Sequence, residues 1–280
     1  MTDPEPLEVD GAQALIYRDA PAWDGARTAA IGGFSCADEA AGRALLRRAQ
    51  ALLRAEGFAG LIGPMDGDTW HRYRLVFESD GAPPFAMEPV SGRHDKAAFL
   101  AEGFAPISHY VSARAALADA ARDEAPAVPG IVVTAWDGRD APALIAGMFA
   151  LSLAGFAGAR FFKPIAHEAF VALYQPVLPL IDPRLVLFAH DPQGRLVGFL
   201  FGLPDRLERA APKTVILKTY ASGVRGVGRL LGDRFHRAAI ELDYCDVVHA
   251  LMHVDNPSRA RSTLHRATVF RRYALMGARL

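Results

Sequence analysis

The sequence has few cysteines, no net charge and no long uninterrupted apolar run, and each shortage excludes a class of protein. Its 2 cysteines, Cys36 and Cys245, lie in different halves of the chain, so neither a disulfide framework nor a cysteine-based metal site is expected. The 31 Lys and Arg residues balance 31 Asp and Glu residues, which gives no overall attraction for nucleic acid or an anionic membrane. Gly, Pro or charged residues interrupt the apolar stretches before bilayer length, so no transmembrane helix is expected.

The N-terminus and the overall composition favour a cytoplasmic protein with a substantial core. Residues 1–11, MTDPEPLEVDG, are acidic and polar and do not resemble a signal peptide. A chain of 280 residues with 51% hydrophobic residues is long for one domain and sufficient for two.

The most informative stretch is Val215–Leu231, VILKTYASGVRGVGRLL, which predicts a strand, a glycine-rich turn and the start of a helix. Gly223, Gly226 and Gly228 let the backbone approach a ligand closely and adopt a positive φ. The following helix points its unpaired N–H groups and the positive end of its dipole into the turn. The pattern therefore predicts an anion site suited to a pyrophosphate, and the alternative is a glycine turn without a ligand.

Two common phosphate motifs are excluded at this turn. A P-loop requires Lys and then Ser or Thr after its last glycine, but Arg229 and Leu230 follow Gly228. A Rossmann fingerprint requires its third glycine where Leu231 stands.

The hydrophobic patterns of the second half predict, in order, a strand, two helices, three strands, the glycine turn with its helix, a strand, a short helix and a last strand. The ranges are Gly130–Ala135, 140–154, Ala166–Val177, Leu185–Ala189, Leu196–Phe201, Val215–Tyr220, Arg229–Leu242, Asp246–Val254, a helix from Asn256, and Phe270–Leu275. Ala115–Pro129 predicts a connector, and the alternative is an ordinary exposed helix within one domain.

This element order and the turn together resemble the GNAT superfamily of acyl-CoA-dependent N-acetyltransferases. Gly226 and Gly228 match the two small positions of its motif A, whereas Gly223 stands where the family usually has Gln or Arg. The first half resembles a shortened repeat, in which predicted strands at Ala12–Tyr17 and Thr28–Cys36 precede a helix that begins at Glu39 with Asp38 as its expected N-cap. The resemblance implies an α/β (α+β) tandem protein with two mixed, mostly antiparallel sheets flanked by helices, in domains 1–120 and 128–280.

The same resemblance implies acetyl-CoA or another acyl-CoA as co-substrate and a small-molecule amine as acceptor, in a monomer or a homodimer. An alternative is a non-catalytic module that binds acyl-CoA or a partner protein. The resemblance places the candidate cofactor-binding residues on the strand, the turn and the next helix start: Leu217, Thr219, Gly223, Val224, Arg225, Gly226, Val227, Gly228, Arg229 and Asn256. For Asn256 the alternative role is a helix cap before Pro257.

Acyl transfer requires a polarised thioester and a base for the ammonium group, and the candidate catalytic residues are Lys218, Tyr220 and His253. The resemblance places an oxyanion-binding backbone N–H near Lys218. The tyrosine with which many family members protonate the thiolate is missing, because its position falls at Thr263 or Leu264. His249 and His253 are expected on one face of their strand, as a satisfied or solvent-facing pair and not as metal ligands.

The two halves are expected to share one core, because the shortened first half leaves part of its sheet uncovered. The acceptor site is then predicted in the cleft between them, with the loop Gly63–Tyr73 as one wall or, alternatively, with Trp70 and Tyr73 only as core residues. The first half itself is not expected to bind CoA, because Glu39 would face the pyrophosphate. The arginines from Arg259 to Arg272 favour a solvated helix face over a phosphate site.

Overall fold

The computed structural model describes residues 3–208 and 211–280. The elements of the first half are β1 (Glu5–Val9), β2 (Ala12–Tyr17), β3 (Thr28–Cys36), α1 (Glu39–Ala55), β4 (Gly60–Gly63), β5 (Leu75–Ser79), α2 (Asp95–Ala101), β6 (Ala105–Ala116) and α3 (Leu117–Ala120). Those of the second half are β7 (Val132–Ala135), α4 (Ala141–Phe156), α5 (His167–Tyr174), β8 (Val186–His190), β9 (Leu196–Pro204), β10 (Thr214–Ser222), α6 (Val227–Glu241), β11 (Asp246–His253), α7 (Pro257–Leu264) and β12 (Thr268–Arg279). Short 3-10 helices at Leu178–Leu180 and Pro183–Leu185 precede β8.

All strands belong to one 12-stranded sheet with the order β1-β2-β3-β4-β12-β6-β11-β10-β9-β8-β7, and β5 also pairs with β12. Most neighbours are antiparallel, but β3 with β4 and β10 with β11 are parallel pairs. The predicted mixed, mostly antiparallel sheet flanked by helices is confirmed. The two expected sheets, however, are joined edge to edge into a single one.

The halves exchange their last strands at this junction. β12, which ends the second half, lies between β4 and β6, and β6, which ends the first half, lies between β12 and β11. The uncovered edge expected for the first half is therefore covered by the other half of the same chain. The division into domains 1–120 and 128–280 stays a prediction.

The core extends along both faces of the sheet, because helices cover both. In the second half, Val215 and Leu217 of β10 pack with Phe235 of α6, whereas Ile216 packs with Met148 of α4 on the opposite face. In the first half, α1 and α2 pack on the sheet through apolar residues that include Leu45, Leu46, Leu53, Ala98 and Phe99. Two-sided burial explains why β9 and the segment Val215–Leu217 of β10 are apolar runs and not alternating patterns.

The sequence patterns located most elements, and the misses have physical causes. β2 and β3 coincide with the predicted strands, and Asp38 caps α1 through a bond from the Ala41 N–H at 2.8 Å. β1 was missed because this edge strand has mostly polar or exposed residues. No helix among the described residues has the length and apolarity needed to cross a membrane.

Candidate functional site

β10 and β11 separate near the middle of the sheet. Their parallel pairing runs from Thr214↔Asp246 to Leu217↔His249 and then stops. Beyond this point β10 continues along β9 to Ser222, and β11 continues along β6 to His253. The separation leaves unpaired backbone on two facing strands, and an extended ligand that carries amide groups can bind there.

Each strand has an irregularity at the place where they part. In β10 the register with β9 shifts between Leu217 and Thr219, which leaves Lys218 as the extra residue. In β11 the register with β6 shifts between His249 and Met252, and Leu251 adopts a φ of 58°. Bulges of this kind redirect side chains and free backbone groups next to functional sites.

A cavity of about 950 Å³ opens at the separation, between the two halves of the chain. Its walls include Leu217, Lys218, Thr219 and Tyr220 from β10 and much of β11 and α7. The facing wall is residues 69–74 with Met87, Glu88 and Tyr110 of the first half. The cleft predicted between the halves is thus present, and the loop Gly63–Tyr73 contributes to its wall.

Trp70 combines both roles considered for it. Its indole N–H donates to the Lys163 carbonyl at 2.7 Å, and its ring packs edge-on against Phe156, Phe162 and Phe170. It also lines the cavity. Trp70 therefore fixes the wall of the cleft by packing the first half against α4 and α5.

The glycine turn leads into an uncapped helix N-terminus next to the cavity. Gly226 precedes α6 with a φ of 91°, and no side chain caps the helix. Val224 and Arg225 are exposed, Val227 is buried and Arg229 is half-buried. The Val227 and Arg229 N–H groups donate to the Val224 and Gly226 carbonyls at 3.3 Å and 3.0 Å, so the N–H groups of Arg225, Gly226 and Gly228 are the ones without a backbone acceptor among the described residues. The anion site at this turn stays a prediction.

Gly228 lies where the turn meets the cavity, and its lack of a side chain keeps that place open. A Cβ atom there would come within 2.9 Å of Arg261 Nη1 and 3.0 Å of Tyr220 Cε2. At Gly223 an added Cβ would meet nothing within 4 Å. A ligand can therefore approach the backbone closely because residue 228 has no side chain, whereas a methyl group at residue 223 would meet no neighbouring atom.

Tyr220 and Arg261 form a pair beside Gly228. The guanidinium Nη1 of Arg261 donates to the Tyr220 hydroxyl at 2.8 Å. Burial raises the pKa of Tyr220, so this phenol is protonated at neutral pH and is poorly suited to be a base. The arginine was expected on a solvated helix face, but its partner on β10 is distant in sequence and holds it at the cavity.

Lys218 lines the cavity and is half-buried. Its Nζ donates to the Met87 carbonyl at 3.1 Å. Burial, with a smaller contribution from the nearby charge of Arg74, lowers the pKa of Lys218 to about 7, although Glu88 acts in the opposite direction. An amine that is half neutral near pH 7 can accept a proton from another ammonium group.

His253 lies in the cavity wall but both ring nitrogens are engaged. Nδ1 accepts from the Asp255 N–H at 3.1 Å, and Nε2 lies 3.1 Å from the Ser108 hydroxyl. Desolvation lowers the pKa of His253. With its lone pair already used, His253 is better placed to position Ser108 than to accept a proton.

The expectation that His249 and His253 share a strand face is wrong. The bulge at Ala250 and Leu251 places His249 opposite Ala113 and His253 opposite Tyr110, which lie on different faces of β6. An inserted residue moves the side chains that follow it to the other face of the strand, so two residues four positions apart no longer share a face.

Asn256 is the N-cap of α7, as its alternative role proposed, and its Oδ1 accepts from the Ser258 N–H at 2.9 Å. The residue also lines the cavity, so its contact with a cofactor stays a prediction.

A buried histidine cluster supports the cavity floor. His236 of α6 and His249 of β11 lie with their Nε2 atoms 3.0 Å apart, and His265 packs edge-on against His236 at 4.5 Å between ring centroids. Ser262 bonds to His249 Nδ1 at 2.7 Å. Burial lowers the pKa of His249 to about 3 and that of His236 well below its usual value, so both rings are neutral. Sequence patterns gave no signal for this cluster, since its members lie on three different elements.

The cluster predicts that the protein loses stability in mild acid. Since the folded-state pKa values lie below the usual 6.5, the unfolded state binds more protons below that pH. Each histidine is expected to lower the free energy of unfolding by about 1.4 kcal/mol per pH unit below about pH 6.5. Urea unfolding between about pH 8 and pH 5 measures this slope.

His236→Leu is expected to reduce that slope by the contribution of one histidine, whereas His109→Gln, at an exposed position, leaves it unchanged. Equal slopes for the parent and the His236 variant would contradict the assignment.

The corresponding gap in the first half is closed by the chain itself. The parallel pairing of β3 and β4 stops at Ala30↔Ile62, and the next residues fold back along β3. Met65 N–H donates to the Ile31 carbonyl and Asp66 Oδ1 accepts from the Gly33 N–H, each at 2.8 Å. The expectation that this half does not bind CoA thus gains a second reason, because the space between its strands is filled.

Two charged residues of the cavity wall, Arg74 and Glu88, were not found from the sequence. Glu88 forms a buried ion pair with Arg271 of β12 at 2.5 Å and accepts a hydrogen bond from the Tyr273 hydroxyl. The partners of Glu88 lie more than 180 residues away along the chain, and the hydrogen-bond partner of Arg74, Leu251, belongs to β11. No local sequence pattern could therefore indicate these contacts. Among the described residues, no group of three or more His, Cys, Asp or Glu side chains is arranged to hold a metal ion.

No protein-family model and no curated protein sequence matches the chain. Solved structures do match its fold. A GCN5-related N-acetyltransferase from Sphaerobacter thermophilus superposes with a TM-score of 0.58 at 13% identity, over 96% of this chain and 76% of that one. A tandem GNAT protein from the clavulanic acid biosynthesis pathway gives 0.55 at 17% identity, over 96% and 79%. A GCN5-related N-acetyltransferase from Anabaena variabilis gives 0.54 at 10%, over 95% and 59%. The chain therefore has the fold of the GNAT superfamily.

Proposed function

We propose that this chain, which has the GNAT fold, is an acyl-CoA-dependent N-acyltransferase that acts on a small-molecule amine. The observation that carries the proposal is the separation of β10 and β11 above a cavity of about 950 Å³, with the uncapped N-terminus of α6 at one side. Extended backbone for an amide-containing arm, N–H groups for a pyrophosphate and an enclosed cavity for an acceptor are found together. Acyl-CoA is the co-substrate that matches these three features.

The residues divide into a cofactor side and an acceptor side. On the cofactor side, Leu217 and Thr219 would pair with the pantetheine arm, and the N–H groups of Arg225, Gly226 and Gly228, which donate to no carbonyl among the described residues, would bind the pyrophosphate. Arg261, held by Tyr220, is an additional phosphate ligand at the same end. On the acceptor side, the wall from the first half bounds the cavity opposite β10.

Within this arrangement Lys218 is the general base and Tyr220 the general acid. Lys218, with its pKa near 7, takes the proton that the acceptor ammonium must lose before it attacks the thioester. Tyr220 remains protonated and adjoins α7, so its hydroxyl can return a proton to the leaving thiolate. This tyrosine from β10 would replace the family tyrosine that is missing at Thr263 and Leu264. The backbone N–H of the bulged Lys218 remains the candidate donor to the thioester oxygen.

Calorimetry with CoA tests the cofactor site. We expect one CoA bound per chain, because the gap in the first half is filled. Gly228→Val should weaken CoA binding at least about tenfold, or about 1.4 kcal/mol, since the new side chain occupies the place beside Tyr220 and Arg261. Gly223→Ala is the matched control: it lies in the same turn, keeps its backbone N–H and has room for a methyl group. A folded Gly228 variant with unchanged affinity would remove the basis of the assignment.

The second candidate, a non-catalytic acyl-CoA-binding or protein-binding module, rests on the missing tyrosine of α7. Leu264, at one of the two positions expected for that tyrosine, is 63% exposed and does not line the cavity. Release of free CoA from acetyl-CoA upon addition of amines separates the two, since a binding module would bind CoA without releasing thiol.

A further inference from the structure

We propose that Arg74 binds a carboxylate of the acceptor, so that the substrate is an amine that also carries a carboxylate, as an amino acid does. This inference rests on the proposed function, because it names the acceptor class of the same cavity. Its basis is a buried arginine that lines the cavity without a counter-ion.

Arg74 is nearly enclosed and incompletely satisfied. The residue is only 6% exposed and belongs to the cavity wall. Its Nη1 donates to the Leu251 carbonyl at 3.1 Å, while its buried Nε has no hydrogen-bond partner. None of the ion pairs found in residues 3–208 and 211–280 includes Arg74. A buried guanidinium that lacks a carboxylate is costly, so an anionic ligand would compensate that cost.

The surroundings hold the guanidinium in a fixed orientation. Its Cζ lies 3.8 Å from the ring centre of Tyr73 and 3.9 Å from that of Tyr110. The backbone is fixed as well: Arg74 has a φ of 69°, and its N–H donates to the Pro64 carbonyl at 2.8 Å. An aromatic face stabilises a cation without accepting from its N–H groups, so the donors of Arg74 that Leu251 does not use can bind a carboxylate.

The carboxylates of the cavity wall are already engaged or exposed. Glu88 is held by Arg271 and Tyr273, and Asp66 bonds to the Gly33 N–H and lies near Arg72. Asp255 is largely exposed, and its nearest ion-pair contact is His253 at 3.8 Å. Among the described residues of the cavity wall, Arg74, Lys218 and Arg261 therefore have no carboxylate partner, and Arg261 is held by the Tyr220 hydroxyl.

Arg74 and Lys218 lie close enough for the charge of Arg74 to lower the pKa of Lys218 and that of His253. An amino carboxylate satisfies both groups: its carboxylate compensates Arg74, and its ammonium gives a proton to the neutral form of Lys218. A phosphate of CoA is a poorer match, because the helix N-terminus that suits phosphates is at the exposed turn Gly223–Gly226. The planar fork of Arg74 fits a carboxylate in an aromatic pocket.

The test compares common amino acids with their carboxamides, which keep the amine and lose only the charge of the acid. Binding to the full chain is measured by thermal shift and calorimetry, with and without CoA, and acyl transfer by CoA release from acetyl-CoA. At least one amino acid is expected to bind about tenfold or more tightly than its carboxamide. Arg74→Met should abolish this preference without changing CoA affinity, whereas Arg272→Gln, at an exposed arginine that pairs with Glu78 outside the cavity, should retain it.

The outcomes distinguish this inference from the proposed function. If CoA binds but carboxamides bind as well as amino acids, or no amino acid binds, the role of Arg74 is overturned and the CoA site stands. If amino acids bind through Arg74 and CoA does not bind, the carboxylate site stands and acyl transfer fails. Should Arg74→Met not fold, Arg74→Lys keeps the charge without the fork and is expected to reduce the preference. The ligand comparison with the unchanged protein needs no variant.

Discussion

Replacing Lys218 by Met is expected to lower the rate of acyl transfer about 100-fold to 10,000-fold, the usual contribution of a positioned general base. The physical reason is the environment of the amine, which burial and the charge of Arg74 keep partly neutral at physiological pH. The measurement is CoA release from acetyl-CoA with the best amino carboxylate at saturating concentrations, so that kcat is compared and not binding.

The control is Lys213→Met, which removes a lysine five residues earlier whose Nζ donates to the Asp243 carbonyl outside the cavity. Lys218→Arg separates a base from a fixed positive charge, because arginine remains protonated at every accessible pH. A Lys218→Arg variant with near-normal turnover would show that the charge and not the proton transfer matters.

The same group predicts the pH dependence of the reaction. Lys218 is protonated below about pH 7 and neutral above it, so the rate should rise with pH through about 7 and then level off. The chain has only 4 lysines, Lys96, Lys163, Lys213 and Lys218, so carbon-13 NMR of the reductively methylated protein can follow each one. Four signals that all titrate near the usual value of about 10.4 would contradict this role.

Separately expressed fragments 1–120 and 128–280 are expected not to fold. The first would lose β12 from between β4 and β6, and the second would lose β6 from between β12 and β11. In the first fragment Glu88 would also lose Arg271 and Tyr273, and an uncompensated buried carboxylate costs about 3–5 kcal/mol. Circular dichroism and size-exclusion chromatography measure the result.

Co-expression of the two fragments is the control, and it should restore a soluble one-to-one complex that binds CoA. The competing outcome is that each fragment completes its own sheet. β6 would then pair with β4 in fragment 1–120, and β12 would pair with β11 in fragment 128–280. Two soluble, cooperatively folded monomers would establish that outcome and disprove the need for exchanged strands.

Local chemistry in the sequence was sufficient for most elements and for the turn on the proposed cofactor side of the site. Three glycines between an apolar run and an amphipathic helix predicted the turn at Gly223–Gly228, since glycine readily adopts the positive φ found at Gly226. The caps Asp38 and Asn256 and the strands β2 and β3 followed from similarly short-range rules. The residues that make up each of these signals lie close together along the chain.

The acceptor side was decided by tertiary structure alone. Arg74 becomes a buried cation because Tyr110 and Leu251, from two other strands, enclose it. Lys218 has a lowered pKa because the first half covers it, and no property of the stretch VILKTY indicates that cover. The sequence alone determined what most segments form, since helices, strands and turns depend largely on neighbours along the chain. Which segments meet was settled by the exchange of β6 and β12, because strand pairing joins residues that no local pattern relates.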